Sequence, residues 1–176
     1  MKVAVLGPTS IAAVAASAGL NPDDYVDLAR QAGAQLAARG YELVVVPDRG
    51  VAVYASQAYR EAHGPRLTGL FPSGGNGVLD SSAIELDAHR YLCDLAIDGL
   101  TWHDQHPRIC QLADVMLVIG LSCGTMGELV WTKWMRTPAV VLRPLVSGIP
   151  PEVMAEANIH FVQNLAGFFA LAPTLC

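Results

Sequence analysis

Apolar residues fall along this chain in two patterns, short unbroken runs alternating with longer segments in which apolar positions recur every three or four residues. An unbroken run marks a strand buried on both faces, and the wider spacing marks a helix with one apolar face. On this reading Lys2–Leu6, Tyr41–Val46, Leu67–Phe71, Val115–Ile119, Pro138–Leu142 and Ile159–Val162 are strands. The clearest helix starts at Asn21-Pro22-Asp23-Asp24, where Asn caps, Pro presets the first turn and two acids face the positive end of the dipole. It runs to about Arg39-Gly40, with Tyr25, Leu28, Ala29, Ala32 and Leu36 on one face and Gly40 as the left-handed exit. Further helices are expected from Val51 to about His63, from Thr101 to about Ala113, from Thr125 to about Met135 and from about Asn164 to Leu171. Between Ser82 and Asp98 the pattern does not separate strand from helix; Leu92–Ile97 fits a strand or the end of a helix begun near Ser82. Strands alternating with helices predict a single α/β domain over residues 1–176, a doubly wound, mostly parallel sheet with helices on both faces.

Composition narrows the partners. A chain of 176 residues with 52% apolar and 15% charged residues has enough apolar surface for one sizeable core. Its net charge of -5, with eleven scattered Lys and Arg, argues against a nucleic-acid partner, which demands a clustered basic surface. Four cysteines without a C-x-x-C pair point to a reducing, cytoplasmic setting. Gly, Pro or a charge interrupts every apolar stretch short of the roughly 18 residues a membrane span needs, so no membrane partner is expected.

Candidate chemistry concentrates where the Val115–Ile119 strand empties into Gly120-Leu121-Ser122-Cys123-Gly124-Thr125-Met126-Gly127-Glu128. A glycine-punctuated turn opening a helix is an anion trap, because amides approach a ligand unobstructed and the helix dipole points the same way. The expected phosphate lies on the amides of Gly124, Thr125 and Met126, with Gly120, Ser122 and Gly127 as further ligand-binding positions of the same turn. Gly7-Pro8-Thr9-Ser10, after the first strand, lacks G-x-G-x-x-G and so is a poor dinucleotide fingerprint. Gly7, Thr9 and Ser10 are nevertheless expected to line the same crevice, since loops at the carboxyl ends of parallel strands gather there. Asp48 stands where a ribose hydroxyl is sometimes bound but reads first as a turn residue, and Pro72–Gly77 reads as a connection, a lid or a second amide cradle. Glu128 has two readings. Thr125-x-x-Glu128 fits a capping box, and the carboxylate could equally meet a ligand.

Gly124-Thr125-Met126-Gly127-Glu128 resembles the Gly-Thr-x-x-Glu half of the Pro-Gly-Gly-x-Gly-Thr-x-x-Glu signature of the LOG family, Rossmann-like proteins often mislabelled lysine decarboxylases. Asp114 falls where that family begins its strand, whereas Gly120-Leu121-Ser122-Cys123 departs from the proline and paired glycines. The pattern is nearer the looser relatives of that superfamily, nucleotide-binding proteins and molybdenum-cofactor carriers. The resemblance implies a Rossmann-like fold, a homodimer or higher homo-oligomer paired near the motif, and Glu128 acting at the glycosidic bond of a nucleoside 5'-monophosphate. It also implies an arginine partner about nine residues before Asp114. That position is Gln105, with Arg108 one helical turn further on as a displaced candidate.

The remaining groups suggest little chemistry. His103, His106 and Cys110 could share a helix face, but the spacing lacks the tight ligand pairs of a closed zinc site, so neither a metal nor a resident cofactor is expected. Cys123 reads as an oxidation-sensitive thiol, and Trp131 and Trp134 as core or a subunit contact. The leading expectation is therefore a binder of a nucleotide or other phosphorylated small molecule. The alternatives are a nucleoside 5'-monophosphate phosphoribohydrolase, with Glu128 and Arg108 catalytic, and a carrier of a phosphorylated cofactor such as the molybdenum cofactor. Sequence alone leaves binding and catalysis both open.

Overall fold

The computed structural model describes residues 1–73 and 86–176. Among them, seven parallel strands form one sheet: β1 (Lys2–Leu6), β2 (Glu42–Val45), β3 (Leu67–Leu70), β4 (Leu95–Ile97), β5 (Val115–Val118), β6 (Ala139–Leu142) and β7 (Ile159–Val162). Their order is β4-β3-β2-β1-β5-β6-β7. The chain steps outward from β1 in one direction as far as β4, then returns beside β1 with β5 and steps outward in the other. The reversal falls between β1 and β5, paired in register from Val3 with Val115 to Leu6 with Val118.

Seven helices accompany the strands among the described residues: α1 (Ile11–Ala18), α2 (Pro22–Ala38), α3 (Val51–Glu61), α4 (Gln105–Leu112), α5 (Cys123–Met135), α6 (Pro151–Glu156) and α7 (Leu165–Leu175). Alternate residues of each strand face opposite layers. Val3, Val5, Val45 and Leu117 pack with Tyr25, Leu36, Tyr59 and Phe168 of α2, α3 and α7. Ala4, Leu6, Met116 and Val118 pack with Ile109 and Cys110 of α4 and Leu129 of α5. The central strands are therefore apolar from Val3 to Leu6 in β1 and from Val115 to Val118 in β5, which is why they read as unbroken runs. Gly33 lets α2 lie directly on α3, since a Cβ there would stand 2.0 Å from the Ala55 carbonyl oxygen.

Several expectations are corrected. Leu92–Ile97 is divided between a 3-10 turn at Arg90–Leu92 and the edge strand β4. The helix expected from Thr101 begins only at Gln105. Thr101 Oγ1 donates to Asp104 Oδ2 at 2.6 Å and accepts from the Asp104 N–H at 3.2 Å, closing a polar turn first. The helix expected from Thr125 begins at Cys123. Helices α1 and α6 were not anticipated. The Pro72–Gly77 reading from Gly74 onward, and residues 82–85 of the ambiguous stretch, lie outside the described residues. No helix among the described residues is long and apolar enough to cross a membrane.

Candidate functional site

The loops leaving β1 and β5 diverge at the reversal, and a crevice of about 850 Å³ opens between them. Gly7, Thr9 and Ser10 line it from the β1 side; Ser122, Cys123, Gly124, Thr125 and Glu128 line it from the β5 side. Trp102, Gln105 and His106 add a wall from α4 and the turn before it, and Asp48 adds the loop after β2.

The start of α5 differs from the expected one in a way that changes which amides are left uncommitted. Ser122, in extended conformation, caps the helix: its Oγ accepts from the Thr125 N–H at 3.2 Å, and its carbonyl accepts from the Met126 N–H at 2.9 Å. A serine two residues ahead of Gly124 wins the cap because its side chain reaches the third amide, the standard capping geometry. Thr125 thus sits inside the first turn, buried, and the Thr125–Glu128 capping box does not form. The amides of Thr125 and Met126 are committed internally. Those of Cys123 and Gly124 have no partner among the described residues and are the donors available to an anion.

The glycines also separate by role. Gly120 adopts φ +86°, and a Cβ there would lie 2.3 Å from the Tyr25 ring, so its lack of a side chain serves the turn and the seating of Tyr25. Neither Gly120 nor Gly127 lines the crevice, contrary to expectation. Gly7 does, but a Cβ there would meet the Ile119 carbonyl oxygen at 2.6 Å and Val51 at 2.7 Å, so close approach of α3 already requires glycine. Gly124 has clearance, its nearest neighbours 3.8 Å or more away.

Glu128 faces inward from α5 and is 7% exposed. Burial pushes its carboxyl up from the usual range, and His106 partly offsets this, with Nδ1 3.4 Å from Glu128 Oε1. His106 comes from α4, which packs along α5. The basic neighbour of Glu128 is therefore a histidine that sequence reasoning did not connect with it, 22 positions away. Arg108 is not that neighbour. Its Nη1 donates to Gln111 at 3.3 Å, and it does not line the crevice. Three helical residues rotate a side chain by about 300°, which leaves Arg108 turned about 60° from Gln105. Cys110 is also directed away, its Sγ contacting Met116 Sδ at 3.7 Å and the Glu128 carbonyl at 3.6 Å, and burial pushes its thiol up to about 12.

Gln105, where the family resemblance expects arginine, is 5% exposed and lines the crevice. Its Nε2 lies 2.9 Å from His106 Nδ1 and 3.1 Å from Nε2, while its Oε1 is buried without a hydrogen-bond partner among the described residues. Asp48, read first as a turn residue, is buried on the crevice wall with its Oδ1 3.6 Å from Arg49 Nε.

A doubly wound α/β sheet with a crevice at the reversal of its strand order defines, as a class, a Rossmann-like protein. Residues 1–167 match the SLOG cluster4 family, and the chain belongs to that family, within the LOG-like Rossmann superfamily. Its fold is shared with the molybdenum cofactor carrier protein of Chlamydomonas reinhardtii at TM-score 0.71 and 22% identity, covering 99% of this chain and 96% of that one. TM1055, a structural-genomics target, superimposes at TM-score 0.73 and 22% identity, covering 98% of each chain. The molybdenum cofactor binding protein of Rippkaea orientalis does so at 0.68 and 18%, covering 99% and 96%. No curated protein matches the sequence.

Proposed function

We propose that this chain binds a small phosphorylated molecule in the crevice between the β1 and β5 loops and carries it unchanged, as a carrier of a phosphorylated cofactor of the molybdenum-cofactor kind. The observation that carries the reading is the pair of uncommitted amides, Cys123 and Gly124, at the start of a 13-residue helix opening on the crevice. A phosphate there gains two N–H donors and the helix dipole, with the hydroxyls of Thr9 and Ser10 on the β1 side of the crevice. Pockets of about 300–1,000 Å³ suit ligands of cofactor or nucleotide size. The names of the molybdenum-cofactor proteins sharing the fold support the cofactor class.

Carriage is favoured over glycosidic hydrolysis by the state of Glu128. Its carboxyl is almost wholly buried, its Oε1 is engaged by His106, and no guanidinium joins it among the described residues, Arg108 being bonded elsewhere. A carboxylate that steadies developing charge on a sugar must reach that sugar, with a cation placed to help. All four cysteines are free thiols, which supports a reducing, cytoplasmic setting.

The test is calorimetric titration with inorganic phosphate, ribose 5-phosphate, AMP, GMP and molybdopterin, with chromatography of each nucleotide mixture for free base. Binding of phosphorylated ligands without base release is expected, tightest for molybdopterin. Base release that disappears in Glu128→Ala establishes the phosphoribohydrolase instead, and no binding of any phosphorylated probe overturns both.

A further inference from the structure

We infer that His106 is the protonatable contact of the anion site: a phosphate settling on the Cys123 and Gly124 amides is accompanied by a proton taken up at the His106–Glu128 pair. The inference rests on the binding reading above and adds how occupancy of that site is regulated.

Two glycines bring the imidazole onto the first turn of α5. A Cβ at Gly124 would lie 3.8 Å from His106 Cε1, and one at Gly127 would lie 3.8 Å from its Cγ and Nδ1, so the ring rests on the turn whose Cys123 and Gly124 amides are uncommitted. Glu128 follows Gly124 by four residues. Positions four apart share a helix face, and helical side chains lean toward the N-terminus, so its carboxyl lies over the same turn with Oε1 3.4 Å from His106 Nδ1. Imidazole and carboxyl both line the crevice onto which those amides open.

Charge couples the pair to the anion. An imidazole is the side chain that ordinarily gains or loses a proton near neutral pH, and burial raises the carboxyl of Glu128 from its usual range. Each proton lost makes the pair one charge more negative beside the bound anion. Affinity therefore falls as pH rises, and by reciprocity an arriving anion draws a proton back. Other ionisable groups near the pair do not take this part. Cys110 of α4 touches the Glu128 carbonyl, but burial pushes its thiol up to about 12, and burial likewise raises Tyr25 of α2, so both stay neutral. His103, Cys123, Asp48 and Arg49 stand elsewhere on the lining, Asp48 beside Arg49, and Lys133 pairs with Glu156 of α6 outside it.

The experiment measures the affinity of inorganic phosphate at pH 6 and pH 8 for the wild-type chain and for the double variant His106→Asn/Glu128→Gln, with His106→Phe/Glu128→Met in its place should the first fail to fold by thermal melt. The ionisation of the ligand and of the other crevice groups is common to both proteins and cancels in the comparison. The wild-type chain is expected to lose about tenfold more affinity than the variant between the two pH values, since a fully linked proton changes affinity by about tenfold per pH unit. Calorimetry of the wild-type chain with sulfate, doubly charged at both pH values, in two buffers of different ionisation enthalpy counts the proton directly, and net uptake is expected. Equal pH dependence in both proteins, or no uptake with sulfate, overturns the coupling while leaving phosphate binding intact. If phosphate fails to bind the wild-type chain at either pH, the binding reading falls, and this one with it.

Discussion

His106 Nδ1 lies 3.4 Å from Glu128 Oε1 across the contact between α4 and α5, so a nearly buried carboxyl has an imidazole as its neighbour. For a buried acid, desolvation favours the neutral form, and the carboxyl of Glu128 is accordingly raised. The stability this group contributes is therefore complete below its unfolded value and is lost as pH rises through its folded value. Glu128→Gln, which is neutral at all pH, should match the wild-type chain near pH 4 and exceed it in Tm at pH 8. Melting curves of both proteins across that pH range check this; a variant that loses stability relative to wild type as pH rises contradicts it.

Ser122 caps α5 and Thr125 does not. Ser122→Ala should cost about 1 kcal/mol in urea unfolding, the usual price of a lost N-cap. Thr125→Val should keep the capping bond from the Thr125 N–H to Ser122 Oγ and lose only the 3.0 Å contact between the two hydroxyls. If the valine variant shows the larger helix fraying by amide exchange in the first turn of α5, the assignment of the cap is wrong.

Gly120 and Gly124 look alike in the sequence and should behave oppositely. Gly120→Ala forces a Cβ into Tyr25 at a positive φ and should destabilise by about 2 kcal/mol or more. Gly124→Ala makes only ordinary contacts, with His106 at 3.8 Å and Ser122 Oγ at 3.9 Å, and should stabilise by about 0.5–1 kcal/mol, while crowding the amides offered to phosphate and weakening its binding. Paired denaturation and phosphate titration of the two variants separate the effects.

Thiol labelling should follow burial. Cys123 is exposed at the crevice, whereas burial pushes Cys93 up to about 11 and Cys110 up to about 12. Iodoacetamide at pH 8 should modify Cys123 early and Cys110 only on unfolding, by peptide mass spectrometry, and saturating phosphate should slow the reaction at Cys123. Labelling of Cys110 in the folded chain before Cys123 would falsify the placement of α4 against α5.

Trp134 is 61% exposed and packs edge-on to Trp131 at 5.4 Å between ring centroids. We propose that this face of α5 joins two copies of the chain, as large exposed aromatics commonly do. Light scattering on a sizing column should give a dimer for the wild-type protein and a monomer for Trp134→Glu; a wild-type monomer at micromolar concentration removes the proposal.

The sheet was legible because its central strands are buried on both sides and leave unbroken apolar runs, as at Val115–Val118. Helix α1 was not, since Ile11–Ala18 is mostly alanine and buries only Ile11 and Ala15, leaving no contrast between faces. The glycine turn after β5 pointed to the right end of the sheet. The amides it would offer were misplaced, because Ser122 and Thr125 are both good caps and local spacing does not choose between them. The His106–Glu128 contact and the stranded end of Gln105 arise only from α4 lying on α5. Nothing in the order of residues brings positions 106 and 128 together.

The strand reversal carries a mechanical consequence. Because β1 and β5 begin opposite wings of the sheet, whatever sits between their loops is gripped by both wings at once and acts as a staple across the seam. Occupancy should be felt by segments that never touch the guest, as slower deuterium uptake in the outlying turns of each wing, since opening either one would first require letting go.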